Sequence, residues 1–232
     1  GQPIESFPKA NDFANYEPDP MDTNSHGTHC GGTVGGQGDN GVGVAGVMWE
    51  CSLAGVQFLT ASGSGSLDGA VAAVQYCTAN NIKVSNNSWG GGGFSQSMLD
   101  GINAAGNLDD HIFVAAAGNS GSFGASYPAA YDSPYVISVA ATDSGDNLAS
   151  FSQYHPTEVD LGAPGVDVNS CTAGNGYSYY SGTSMATPHV AGAISYLYSV
   201  ASPAFLAHAI HHVRQARGAA GLISCFLRRG GR

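Results

Sequence analysis

Short apolar runs alternate with longer segments whose apolar positions recur at helical spacing. The runs "SLAGVQFL" (52–59), "NIKVSNNSW" (81–89), "HIFVAAAG" (111–118) and "YVISVAA" (135–141) predict strands. Between them, "SLDGAVAAVQYCTAN" (66–80) and "SQSMLDGINAAGN" (95–107) predict helices, with Ser66 and Ser95 as N-caps. The segment from "SGTSMATPHVAG" predicts a further helix running to about Val200, and Ser202-Pro203 reads as an N-cap and first-turn proline opening one more. This order is the βα signature of a largely parallel sheet and predicts a three-layer α/β architecture. In such sheets the loops at the carboxyl ends of strands carry the chemistry. "NNSWGGGG", "AAAGNSG" and "SGTSMATPHVAG" occupy that position.

Composition narrows the picture. The 232 residues fit one domain, only 10% of them are charged, and 34 are glycine. An average soluble domain has about 25% charged residues, so a compact, loop-rich, extracellular protein is expected. Residues 1–202 hold all 17 acids against two bases, Lys9 and Lys83, a net charge of −15, whereas the last thirty residues carry five arginines and no acid. The acidic body argues against nucleic acid as a partner, because phosphate binding needs clustered Lys and Arg. No stretch reaches the ~18 apolar residues of a membrane span. The five cysteines, Cys30, Cys51, Cys77, Cys171 and Cys225, follow neither a zinc-site nor a redox spacing. Cys51, starting a strand, and Cys77, near the end of the next helix, fit either a disulfide or two separate thiols.

Acyl transfer by a serine enzyme needs an exposed hydroxyl at a sharp turn, an imidazole to take its proton, a carboxylate to orient the imidazole, and donors for the oxyanion. Ser184 in "SGTSMATP" stands at a helix start, His26 in "SHGTHC" has small neighbours, and Asn119 in "AAAGNSG" follows an apolar strand. Each taken alone reads as a cap, a structural histidine or a turn; together and in this order they point to one site. "HGTHC", "AAAGN" and "GTSMATPHVAG" resemble the histidine, oxyanion and serine blocks of the subtilisin-like serine proteases, over about residues 20–202, and the Cys after "HGTH" is typical of the proteinase K branch.

The resemblance implies Ser184 as nucleophile, His26 as general base and then acid, and Asn119 as oxyanion donor, with His29, His155 and His189 structural. It implies a specificity pocket from Ser88, Trp89, Gly90, Ala117 and Gly118, and extended peptide substrates pairing with these edges. "DNGVGVAGV" (39–47) resembles the family's calcium loop, which makes Asn40, Val42 and Val44 candidate ligands of a structural Ca²⁺; no cofactor is implied for the chemistry. A secreted monomer acting on polypeptides, without nucleic-acid or membrane partners, is the expectation.

Two departures stand out. The family's triad Asp ends an apolar strand, is followed by Ser or Thr and then Gly, and precedes the histidine by some thirty residues. Asp12, Asp19 and Asp22 lack that context, so none is expected to be the partner of His26, and the Asp-bearing strand is expected to lie upstream of Gly1. The segment 203–232 turns basic and unlike the family, which divides the chain into a peptidase domain (1–202) and a divergent tail. The alternative is a catalytically inactive subtilase-like binding or decoy protein, favoured by the absent Asp and opposed by the intact blocks. Two GxGxxG matches, "GQGDNG" and "GVGVAG", lack a visible preceding strand and following helix, which disfavours dinucleotide binding. No GxSxG elbow occurs, which disfavours an α/β-hydrolase.

Overall fold

A computed structural model describes residues 11–14 and 19–201. The expected helix at Ser202-Pro203, Cys225 and the basic tail lie outside them.

Four parallel strands form the central sheet in the order β3 (Val84–Asn87), β4 (Ile112–Ala116), β5 (Val136–Thr142) and β6 (Leu161–Pro164). Strand β4 is apolar throughout and buried on both faces, the mark of a central parallel strand. Its alternate side chains divide the core. Ile112 and Val114 face Val34 of helix α1 (His26–Gly35) and Ala186, Val190, Ala191 and Ile194 of α4 (Thr183–Val200). Phe113 and Ala115 face Ala70 and Val74 of α2 (Leu67–Ala79) and Met98, Ile102 and Ala105 of α3 (Gln96–Asp109). The period-two alternation of one strand thus fixes three layers.

The two expected N-caps form: Ser66 Oγ accepts from Gly69 N at 3.0 Å and Ser95 Oγ from Met98 N at 3.4 Å. Helix α1 is not foreseen by the apolar pattern. Four glycines in ten residues depress its intrinsic propensity, but the packing requires two of them, Gly32 and Gly35, a Cβ on Gly35 overlapping Cys51 Sγ. A Cβ on Gly32 would lie 2.6 Å from Ser170 Oγ and 2.9 Å from Cys171 Sγ. Strand β6 and the antiparallel hairpin of β7 (Val168–Thr172) and β8 (Gly176–Tyr180) also go beyond the expected elements.

The run 52–59 yields only a short strand, β2 (Val56–Gln57), paired in parallel with β1 (Asn11–Asp12) as a separate ribbon. Among the described residues, β2 and β3 are therefore not joined by backbone hydrogen bonds. Their carboxyl ends are linked through side chains, since Phe58 meets Trp89 edge to face with ring centroids 4.8 Å apart. Cys51 and Cys77 are both free, the first exposed and the second buried in α2, so the separate-thiol alternative holds.

Helix α3 carries a steric constraint. Gly106 faces the ring of Tyr135, and a Cβ there would overlap it. In an open helix Gly→Ala stabilises by about 1 kcal/mol, but overpacking a filled core costs about 1–3 kcal/mol. Gly106→Ala is expected to lower the midpoint of urea unfolding with the slope unchanged; a raised midpoint would contradict the packing.

Candidate active site

The first turns of α1 and α4 meet through one carbonyl. Pro188 lies inside α4 and has no N–H to return to the carbonyl of Ser184, four residues earlier. That carbonyl accepts instead from Ser88 Oγ at 2.7 Å, just after β3, and from Cys30 Sγ at 3.4 Å, one turn beyond His26 in α1. In return Ser184 Oγ donates to Ser88 O at 3.2 Å. Burial pushes the Cys30 thiol up to about 11, which suits a packing role and not a nucleophile.

Asn119, in the loop after β4, is oriented by the same helix. Its Oδ1 accepts from Thr183 N at 2.8 Å and Thr183 Oγ1 at 3.0 Å, which leaves its Nδ2 free of hydrogen bonds among the described residues. The Ser184 N–H, within the unpaired first turn of α4, is equally free. A Cβ on Gly182 would lie 3.6 Å from Asn119 Nδ2 and 3.7 Å from Ser184 N. The two donors flank one small volume that glycine keeps open, an arrangement suited to a developing oxyanion. The backbone donor was not named from the sequence; its signal is the serine's position at a helix start.

Asn119 and Ser184 share a cleft of about 350 Å³ with Trp89, Gly90 and Gly118. The lining differs from the expected pocket in two places. Ser88 is buried with its hydroxyl on Ser184 O, and Ala117 points into the core against Ala140 and Val159. Ser126 and Gln153 line the cleft and were not foreseen.

His26 opens α1, and neither ring nitrogen makes a hydrogen bond among the described residues. Burial lowers its pKa below the ordinary histidine value; the charge of Asp22 opposes that shift and His29 adds to it. Asp22 is not bonded to the ring. Its Oδ1 accepts from Asn24 N and Ser25 N, and its Oδ2 from Thr28 N at 2.7 Å and Thr28 Oγ1 at 2.6 Å, so it caps the helix that carries His26. Asp12 is buried in β1, where Oδ1 accepts from Ala14 N, and Asp19 is exposed.

The three histidines expected to be structural have packing environments. His29 is fully buried, stacks on Tyr180, and places Nε2 3.0 Å from Val168 O. His189 Nδ1 lies 2.9 Å from Met185 O, and His155 Nδ1 accepts from Thr157 N and Glu158 N.

The three candidate calcium ligands offer only neutral oxygens. Asn40 Oδ1 accepts from Val42 N at 2.9 Å, Val42 is exposed, and no group of three or more His, Cys, Asp or Glu able to hold a metal occurs among the described residues. A calcium ion takes about 6–8 oxygens, usually with carboxylates, so Asn40, Val42 and Val44 do not complete a site by themselves.

A model of the subtilase family matches residues 4–217. The chain is 42% identical over 191 residues to a thermophilic serine proteinase of Bacillus sp. (strain AK1), covering 82% of this chain and 47% of that protein. It is 43% identical over 180 residues to alkaline elastase YaB of Bacillus sp. (strain YaB), covering 78% and 46%. The solved structure of a cold adapted subtilisin-like serine proteinase superposes with a TM-score of 0.74 at 35% identity, covering 86% of this chain and 71% of that one. The chain spans about half the length of the first of these curated relatives.

The Asp22 geometry separates capping from catalysis. Burial pushes its pKa up, but the hydrogen bonds from Thr28, Asn24 and Ser25 prevail and hold it below the ordinary carboxylate value. A depressed folded pKa gives stability that is present above the unfolded value and lost as pH falls through the folded one. Asp22→Ala is expected to cost about 1 kcal/mol at neutral pH, with the difference from the parent chain vanishing in acid; equal unfolding midpoints at pH 7 would contradict it.

Proposed function

The chain belongs to the subtilase family, and from that membership we propose that the protein it represents is a serine endopeptidase hydrolysing peptide bonds in polypeptides. The observation that carries this reading is the pair of donors, Asn119 Nδ2 and Ser184 N, free among the described residues and both adjoining Gly182, on residues that line one cleft. In the proposed cycle Ser184 Oγ attacks the scissile carbonyl while neutral His26 takes its proton, and Asn119 Nδ2 donates to the oxyanion. The imidazolium then protonates the leaving amine. Water, deprotonated by His26, attacks the acyl-enzyme and releases Ser184.

The orienting carboxylate is proposed to come from an upstream apolar strand seated between β2 and β3. Supporting this are the separate β1–β2 ribbon and four-stranded sheet, and the Phe58–Trp89 contact that brings their ends together. Cys30 directly after "HGTH" supports the proteinase K-like branch. Secretion, a monomeric state and the absence of nucleic-acid or membrane partners are proposed on the low charge and acidic body; no described helix is long and apolar enough to cross a membrane. Calcium at Asn40, Val42 and Val44 rests on the sequence resemblance and requires carboxylate ligands beyond these three residues. The unpartnered His26 ring favours one second reading for the chain by itself, a binding module without turnover.

Expression of residues 1–232 alone and joined to the upstream segment of their reading frame separates the readings. The longer form is expected to hydrolyse an unstructured protein and to be labelled by a fluorophosphonate at Ser184 on the order of 10⁴ faster, the worth of the triad carboxylate in this enzyme class. Ser184→Ala should abolish both signals. Labelling needs neutral His26, so it is present above the histidine pKa and lost as pH falls through it. The acid limb should lie below the ordinary histidine range in the short chain, where burial lowers the pKa, and shift upward once a carboxylate adjoins the ring. Equal rates for the two forms would mean that a local acid completes the triad.

The oxyanion role has a separate kinetic signature. Asn119→Leu in the longer form is expected to lower kcat by roughly 10²–10³ with KM nearly unchanged. An effect confined to KM would remove Asn119 from that role.

A further inference from the structure

Helix α1 carries His26, and among the described residues nothing bonds its ring. The position of the imidazole therefore follows from the backbone that bears it. That backbone starts at Ser25, which stands in the left-handed region with φ 78° and ψ −14°. A residue with a Cβ enters this region at a cost and stays only where its surroundings hold it.

Three polar groups of Ser25 are each held by a different part of the chain. Its N–H donates to Asp22 Oδ1 at 2.9 Å, its carbonyl accepts from His29 N at 2.9 Å, and its hydroxyl oxygen accepts from Ala173 N at 3.2 Å. The first two belong to the start of the helix. The third crosses to the turn 173–175 of the β7–β8 hairpin. This hairpin also grips the next turn of α1. Ser170 Oγ donates to His29 O at 2.8 Å, the His29 ring stacks on Tyr180, and its Nε2 lies 3.0 Å from Val168 O and 3.1 Å from Ser178 O. At its other end the hairpin leads into the nucleophile, because only Ser181, Gly182 and Thr183 separate β8 from Ser184. That link is itself fixed, Asp167 N donating to Ser181 Oγ at 2.9 Å and Gly182 N to Gly165 O at 2.8 Å. One hairpin is thus joined to Ser184 through the chain and to the residue before His26 through a single hydroxyl.

We propose that Ser25 is a positioning residue: by accepting from Ala173 N, its hydroxyl registers the β7–β8 hairpin, and with it Ser184, against the backbone of His26. The proposal rests on the endopeptidase reading for its kinetic arm, and its spectroscopic arm stands apart from that reading. Ser25 does not line the cleft. Losing the contact should therefore spare substrate binding and slow the step in which His26 takes the proton, which depends on the placement of the two groups.

The test uses the longer form of the protein and two variants that break the contact from opposite sides. Ser25→Gly accepts the left-handed backbone without a hydroxyl. Ala173→Pro removes the donor and leaves Thr172, the last residue of β7, in the extended conformation that a following proline favours. Each is expected to lower kcat by about ten-fold with KM nearly unchanged, and the double variant to be no slower than the slower single, since both remove one interaction. Proton NMR of the His26 imidazole reads the same tether without turnover: one narrow signal in the parent, exchange-broadened or doubled in Ser25→Gly. A parent that hydrolyses no substrate, together with a broadened His26 signal in Ser25→Gly, would sink the endopeptidase reading and leave the positioning role standing. Full kcat in Ser25→Gly, multiplied losses in the double variant, an effect on KM alone, or an unaltered His26 signal would overturn the proposal.

Discussion

A proline in the second turn of a helix leaves a carbonyl without its partner, and this fold uses the carbonyl so freed as its central tie. Ser184 O receives the hydroxyl of Ser88 and the thiol of Cys30 because Pro188 offers it no N–H. Three segments distant in sequence are thereby held at one point: the end of β3, the first turns of α1 and the start of α4. An ordinary helical N–H at position 188 would take up one of the two lone pairs of the carbonyl, and Ser88 and Cys30 would compete for the other. The defect in one element supplies the order between three.

The same economy governs the surroundings. Glycine appears where another backbone or side chain must come close: Gly32 against Ser170 and Cys171, Gly118 against Gln153, and Gly182 beside the two free donors. Buried polar groups are mostly answered locally. His111, for example, is fully buried with Nδ1 against Ile82 O and Nε2 against Ser85 Oγ, and burial lowers its pKa below the ordinary histidine value. Such fixed polar contacts position the site's groups before any substrate arrives, which is the condition for preorganised electrostatic stabilisation.

How far the sequence discloses this depends on the range of each signal. Strands β3, β4 and β5 and helices α2 and α3 are written locally, in apolar period and serine caps, and they are legible. Helix α1 is not, because Gly32 answers to Ser170 and Cys171, some 140 residues away, and Gly35 to Cys51 and Leu53. The same holds within the site. Asn119 and Ser184 stand in motif blocks and meet in one cleft, whereas Gln153 enters it from a loop whose sequence carries no periodic signal. Ala117 shows the reverse failure, because a motif neighbour is carried into the core by the two-residue alternation of the strand. The capping role of Asp22 is hidden because three of its four donors are backbone N–H groups, which every sequence possesses.

The break between the β1–β2 ribbon and the main sheet has a consequence for how this polypeptide behaves in a tube. Among the described residues, β2 and β3 each have one edge without a backbone partner, and such edges are templates for an extended segment of matching length. At high protein concentration the commonest extended segments are those of neighbouring molecules. Self-association through these edges would then compete with folding, becoming more prominent with concentration and less so with dilution, and the material obtained would depend on its handling history as much as on its sequence.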